Sequence, residues 1–140
     1  MRIRAFDERD TEQLVTLWHT AGLTRPWNDP RRDIARKVEM QRELFLVGVA
    51  DGGALIGTVM AGYDGHRGWV NYLAVAPDAR GAGYGRQLMD EVETRLLAVG
   101  CPKINLQVRS DNEVALGFYR AIGYDVDVVT SLGKRLVSDD

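Results

Sequence analysis

One cysteine, two histidines and four prolines are all that the 140 residues hold of those types. With Cys101 alone no internal disulfide can form, which suits a reducing, cytoplasmic setting. Cys101 lies between Gly100 and Pro102 with no base beside it, so it reads as a structural residue rather than a nucleophile. No stretch of eighteen apolar residues occurs, and no N-terminal apolar segment ends in a small-residue cleavage site. Membrane insertion and secretion are therefore not expected. The net charge is −2 and no basic run or arginine-rich face stands out, which argues against a nucleic-acid partner. Repeats, low-complexity tracts and linker-like stretches are also missing. What remains is a chain 45% hydrophobic and 27% charged, enough for one globular domain over residues 1–140 with a full-sized core.

The densest local signal is Val75-Ala76-Pro77-Asp78-Ala79-Arg80-Gly81-Ala82-Gly83-Tyr84-Gly85-Arg86. Ahead of it, Trp69 to Val75 is aromatic and β-branched enough for a strand. Behind it, Leu88, Val92, Leu96 and Val99 recur at helical spacing from Tyr84 to Val99, and Gly100 supplies a stop. Three alternating glycines thus sit in a tight turn between a strand and a helix N-terminus. Glycine lets the backbone take unusual dihedrals and approach a ligand closely. The free N–H groups of the first turn, backed by the helix dipole, suit phosphate oxygens. Arg80 and Arg86 flank the turn with positive charge, so the stretch reads as a pyrophosphate cradle. It is neither of two common phosphate loops. The P-loop needs Lys-Ser/Thr where Arg86-Gln87 stand, and the dinucleotide pattern needs a glycine at position 86 and a later acidic strand end.

The remaining elements follow in order. Arg2 to Phe6 alternates as a strand, and Asp10 caps a helix with Gln13 as its capping-box partner. Leu14, Leu17, Trp18 and Ala21 form the stripe of that helix, and Gly22 ends it. Asp29-Pro30 reads as N-cap and first residue of a second helix, in which Asp33 and Lys37 are placed for an i,i+4 pair. Leu44 to Ala50 and Ala54 to Ala61 are strands joined at Asp51-Gly52-Gly53. Lys103 to Arg109 is a strand, Ser110 caps the next helix with Glu113, and Tyr124 to Val129 and Lys134 to Val137 close the chain as strands. The order β-α-α-β-β-β-α-β-α-β-β mixes antiparallel hairpins with a crossover helix. The predicted class is α/β (α+β), a mixed and mostly antiparallel central sheet flanked by about four helices.

A second pattern lies in Asn112-Glu113-Val114-Ala115-Leu116-Gly117-Phe118-Tyr119-Arg120-Ala121-Ile122-Gly123-Tyr124. Ala115, Phe118 and Ile122 share one helical face and read as core. The pattern Arg80-x-x-Gly83-x-Gly85, preceded by Leu73-x-Val75-x-Pro77, resembles the acetyl-CoA motif of the GNAT superfamily of N-acetyltransferases. The Asn112 to Tyr124 helix resembles that superfamily's other signature, Asn-x-x-Ala-x-x-Phe/Leu-Tyr-x-x-x-Gly-Phe/Tyr, and the order of elements is that of the GNAT fold. Arg25 to Pro30, Gly62 to Gly68 and Ser131 to Leu136 extend the likeness to the bacterial YpeA-type acetyltransferases.

The resemblance implies acetyl-CoA as cosubstrate, no metal, and a small-molecule or peptide amine as acceptor. It implies that Leu73, Ala74 and Val75 pair with the pantetheine arm, and that Gly81, Ala82, Gly83, Tyr84, Gly85 and Arg86, with Arg80, receive the pyrophosphate. Asn112 joins this cofactor-binding set, and Tyr119 is the expected general acid beside the sulfur. The acceptor pocket is expected between the Thr24 to Pro30 loop and the Tyr63 to Trp69 segment, with Trp27, Asn28, Asp64 and His66 as candidates. Two carboxylates that serve as bases elsewhere in the superfamily are replaced here by Trp69 and Gln107. Asp64, His66 or a chain of waters stay open for that role. Two further expectations are that a C-terminal strand edge serves homodimer pairing, and, as the alternative to catalysis, that the domain binds acyl-CoA as a sensor.

Overall fold

A computed structural model describes residues 1–139. The elements are β1 (Arg2–Ala5), α1 (Thr11–Thr20), α2 (Pro30–Val38), β2 (Phe45–Val49), β3 (Leu55–Tyr63), β4 (Gly68–Val75), α3 (Tyr84–Ala98), β5 (Ile104–Leu106) and α4 (Glu113–Ala121). The five strands form one sheet in the order β1-β2-β3-β4-β5. Neighbours are antiparallel except β4 and β5, which the α3 crossover makes parallel. The result is a mixed and mostly antiparallel five-stranded sheet flanked by four helices, as the sequence predicts.

Strand alternation divides the interior into two layers. Phe45, Val47 and Val49 of β2 point to one face, where they meet Leu14, Leu17 and Trp18 of α1 and Ile34 of α2. Leu46 of β2, with Val59, Ala61 and Val70, points to the other, where Leu88, Met89, Val92 and Leu96 of α3 cover them. β2 is buried on both faces, which explains its unbroken apolar run. α4 closes the second layer, with Phe118, Tyr119 and Ile122 packed against it.

Several local expectations are corrected. Asp10 precedes α1 but makes no capping bond to it. Its carboxylate instead accepts two hydrogen bonds from the Arg4 guanidinium, at 2.7 and 2.9 Å, and one from the N–H of Asp7. Gln13 accepts from the Leu55 N–H rather than completing a capping box. At α4 the cap is Asn112, whose Oδ1 accepts from the Ala115 N–H at 3.1 Å, and not Ser110. The strand expected from Lys103 to Arg109 is reduced to Ile104–Leu106. Among the described residues neither Tyr124 to Val129 nor Lys134 to Val137 forms a strand. The last stretch is tied down by side chains instead: Asp127 to Lys103, Ser131 to Gln107, Arg135 to Asn28, and Asp139 to Arg36. Side-chain bonds spaced this way hold an extended segment without a backbone ladder. The strand edge expected to serve dimer pairing is therefore absent among the described residues.

Candidate active site

β4 pairs with β3 along its length but with β5 only through Gly68, Trp69 and Val70. From Asn71 to Val75 its outer edge has no strand partner among the described residues. The Ala76 N–H donates to the Ile56 carbonyl of β3 at 2.8 Å. By alternation the backbone of Ala74 turns to β3 as well, and the backbones of Leu73 and Val75 turn to the open edge. The Ala74 side chain is buried beneath α1, whereas those of Leu73 and Val75 pack toward α3. The result is a row of backbone groups facing an opening between two diverging strands.

A bulge initiates the divergence. Thr58 opposes Ala74 and Met60 opposes Asn71, so two steps on β3 match three on β4. The extra residue lies at Tyr72, whose φ is +54°, a left-handed conformation seldom taken by a bulky residue. Packing holds it there: the ring stacks on Trp18 at 3.8 Å and 12°, and the hydroxyl donates to Asp33 Oδ2 at 2.5 Å. Burial, and then Asp33, push the Tyr72 pKa up. The bulge also puts Asn71 and Tyr72, successive in sequence, on the same cavity wall.

The open edge runs into the glycine turn. Gly81 and Gly83 have φ of +85° and +82°, so their lack of a Cβ is a backbone requirement. Gly83 is the N-cap of α3 and supplies no side-chain acceptor, and the first turn of α3 has no acidic residue. The N–H groups of that turn, which begins at Tyr84, therefore form an uncapped positive helix end. Gly85 is different: a Cβ there would meet Phe118 Cζ at 3.2 Å and Val75 Cγ2 at 3.8 Å. This contact joins the two sequence motifs, since Val75 of β4, Gly85 of α3 and Phe118 of α4 converge on one point. Arg80 Nε donates to the Val75 carbonyl at 3.2 Å, while Arg86 is exposed at the helix start. Asn112 is committed to capping α4.

Tyr119 stands next to Phe118, edge-on to Phe118 at 5.1 Å and to Tyr124 at 5.7 Å. Its hydroxyl has no hydrogen-bond partner among the described residues. Burial pushes its pKa up to about 12, so the phenol keeps its proton throughout the neutral range.

The acceptor-side candidates are split. Trp27 lines a cavity of 580 Å³ with Arg36 and residues 133–137. Asn28 lines an adjoining one of 560 Å³ with Leu23, Asp33, Lys37, Met60, Asn71 and Tyr72 among others. Asp64 and His66 are elsewhere, at the exposed tip of the β3–β4 hairpin. Asp64 Oδ1 accepts from the N–H groups of His66 at 2.8 Å and Arg67 at 2.7 Å, and these bonds lower its pKa. At about 3.3 Å per residue, the six residues from His66 to Tyr72 span roughly 20 Å. Sequence reasoning missed Asp33, Arg36, Lys37, Asn71 and Tyr72 as cavity residues. Only the i,i+4 spacing of Asp33 and Lys37 hinted at them, and those two do not pair: Asp33 takes Tyr72 and Arg36, and Lys37 reaches the Ala61 carbonyl.

Among the described residues no group of three or more His, Cys, Asp or Glu side chains is placed to hold a metal ion, and no helix is long and apolar enough to cross a membrane.

Known proteins match this arrangement. The family model described as Acetyltransferase (GNAT) family matches residues 9–124. Acetyltransferase YE1169 of Yersinia enterocolitica (serotype O:8 / biotype 1B) is 48% identical over 139 residues, covering 99% of this chain and 98% of its own. Among solved structures, AAC(6')-Iy in complex with the bisubstrate analogue CoA-S-monomethyl-acetylneamine superposes with a TM-score of 0.77 at 19% identity, over 96% of this chain and 97% of that one. Ard1 from Thermoplasma volcanium gives 0.75 at 22% identity, over 90% and 83%. At those identities the structural likeness speaks for the fold.

Proposed function

The chain belongs to the GNAT family of acetyltransferases, and from that premise we propose how its own residues carry out the transfer. The activity is acetyl-CoA-dependent acetylation of an amine. Acetyl-CoA supplies the acetyl group as an activated thioester. The chain fits it in two places, the unpaired edge of β4 and the glycine turn at the uncapped end of α3.

Leu73 offers its backbone groups and Val75 its N–H to the pantetheine arm, the Val75 carbonyl being taken by Arg80, with Ala74 holding the strand from the β3 side. The N–H groups from Gly81 to Arg86 take the pyrophosphate, helped by the charges of Arg80 and Arg86. Asn112 contributes by starting α4 where it does, which sets Tyr119. As the acceptor nitrogen bonds to the acetyl carbon and the carbon–sulfur bond breaks, the Val75 N–H stabilises charge growing on the carbonyl oxygen. A donor of this kind is worth roughly 2.7–4 kcal/mol in comparable sites. Tyr119 gives its proton to the departing sulfur.

An amine must be neutral to attack, and a lysine-like amine of pKa about 10 is mostly protonated near neutrality. Asp64 and His66 lie too far along β4 to take that proton, and Trp69 and Gln107 cannot accept one. Solvent at the cavity mouth is the route we assign. The acceptor enters through the cavities lined by Trp27 and Asn28. We place the chain in the YpeA-type subgroup on its Arg25 to Pro30, Gly62 to Gly68 and Ser131 to Leu136 segments, and in the cytoplasm on its single unpaired cysteine.

The observation that carries this reading is the convergence of Val75, Gly85 and Phe118, with Tyr119 the next residue along α4 and its hydroxyl without a partner among the described residues. Thiol release from acetyl-CoA, measured over a panel of amines with wild type and Tyr119→Phe, tests it. An amine-dependent rate that falls in the variant while acetyl-CoA affinity holds is the expected result. An unchanged rate removes Tyr119 from the acid role.

A further inference from the structure

The two cavities beside α2 share Arg36, and their charged lining is lopsided. Arg36, Lys37, Lys134 and Arg135 stand against one carboxylate, Asp33. Arg36 is already neutralised, at 3.2 Å from Asp33 and 2.5 Å from Asp139. Arg135 donates to Asn28 and to the Val137 carbonyl, both uncharged. Among the described residues Lys37, Lys134 and Arg135 have no carboxylate at ion-pair distance.

Lys37 is the most informative of them. It follows Asp33 by one helical turn, yet its Nζ donates to the Ala61 carbonyl at 2.5 Å. An ammonium has three donors; one goes to a neutral carbonyl, and Glu43, the carboxylate that acts on Lys37, does so from beyond ion-pair distance. The group is half-buried, and burial pushes its pKa down. Holding an unpaired cation in that position is costly unless an anion arrives to meet it. Asp33, four residues earlier (about 6 Å along the axis), is tied to Tyr72 at the bulge, where β4 opens. Opposite charges lining one cavity suit an amine and a carboxylate carried on one small molecule. Cavities of this size suit a small molecule.

Resting on the acetyl-transfer reading above, we propose that the acceptor is a small amine that also carries a carboxylate. Lys37, with Lys134 at the rim, receives the carboxylate, while Asp33 and Tyr72 steer the amine toward the open edge of β4. A polyamine or aminoglycoside would meet Lys37, Lys134 and Arg135, none of which has an ion-pair partner among the described residues.

The test follows thiol release from acetyl-CoA with the full chain and matched acceptors. Free amino acids, including β-alanine and γ-aminobutyrate, are each compared with their carboxamides, with spermidine and neamine as polycations. At least one amino-carboxylate should exceed its amide by about tenfold in kcat/KM, and Lys37→Met should raise its KM about tenfold and erase the acid–amide gap. Lys37→Arg should restore most of that gap. Lys134→Ser, on an exposed segment, should narrow it by a smaller factor and keeps the test decisive if Lys37→Met does not fold. Amides that equal the acids, or a preference for spermidine or neamine, overturn the proposal. So does a panel in which no amino-carboxylate is acetylated. Calorimetric titration with acetyl-CoA then separates the two failures: binding intact means that only the acceptor class is wrong, and no binding means that the transfer reading has fallen with it.

Discussion

β4 separates two regions built on different principles. On its α3 side, the site comes from neighbouring backbone: a strand edge, a glycine turn and a helix N-terminus within Leu73 to Arg86. On its α2 side, the cavity is assembled from side chains of separated segments, with Asn28, Asp33 and Lys37 facing Asn71 and Tyr72 across the sheet and residues 133–137 closing the rim. Backbone N–H groups are the same whatever the sequence, so the first region can serve a constant cosubstrate. Side chains differ at each position, so the second can be specialised for an acceptor. Substitutions on the α3 side should therefore change acetyl-CoA binding or turnover, and those on the α2 side should change the acceptor KM.

The sharpest probe of that division is Tyr119→Phe. If Tyr119 is the proton donor, as proposed, its loss should lower kcat about 10²–10⁴-fold, with the acetyl-CoA Kd unchanged. Because the hydroxyl has no hydrogen-bond partner among the described residues, the thermal midpoint should barely move; a large drop in midpoint would mean a structural role.

Arg4→Ala probes the α1 side and should leave both binding steps alone while weakening the fold. It strands the buried Asp10 carboxylate, which Arg4 holds below its ordinary pKa through their hydrogen bonds. Breaking such a pair costs about 3 kcal/mol, readable as a shifted urea midpoint with unchanged slope. The sign is that of a depressed carboxylate. The stabilisation is complete above the unfolded pKa near 3.8 and is lost as pH falls through the lower folded value. Wild type should therefore lose part of its advantage over the variant in acid.

Gly83→Val tests the backbone argument directly. A β-branched residue at φ +82° is strained by about 1–2 kcal/mol, and its methyl groups crowd the helix end. Acetyl-CoA affinity should fall about tenfold, and a wild-type Kd would break the claim that this turn is the cradle.

The smallest effect is expected at high pH. Tyr119 in the folded chain titrates at about 12, against 10.0 for the ordinary phenol. The folded state holds its proton more tightly than the unfolded chain does. That contribution is complete below pH 10 and is lost as pH rises from 10 to 12. Tyr72 and Tyr124 are raised for the same reason and share the sign. Thermal midpoints between pH 9 and 12 should fall in wild type, and fall less in Tyr119→Phe.

Where the sequence could be read, the signal was local. The Gly81-x-Gly83-x-Gly85 spacing, the helix from Tyr84 and the Asn112 to Tyr124 pattern all lie within short windows, and their structures depend on dihedrals and helical periodicity. The sheet from β1 to β4 was legible for the same reason. The closing strands were not: Tyr124 to Val129 alternates well, yet alternation shows only that a segment can pair, not that a partner edge is in reach. The bulge at Tyr72 carried no sequence mark, because its left-handed φ is imposed by Trp18 and Asp33 from other elements. Asp64 and His66 seemed close to the reaction because they precede β4 in sequence, but an extended strand carries them to its far end.

By itself, then, the sequence pointed to the family, and through that resemblance to the cosubstrate and the acid candidate, since the motifs that carry the resemblance lie in short contiguous windows. Tertiary structure alone decided where β4 opens, which carboxylate faces the bulge, and that Lys37 has no ion-pair partner among the described residues. Those features depend on side chains brought together from distant positions, and pairing among such residues follows from packing rather than from spacing along the chain.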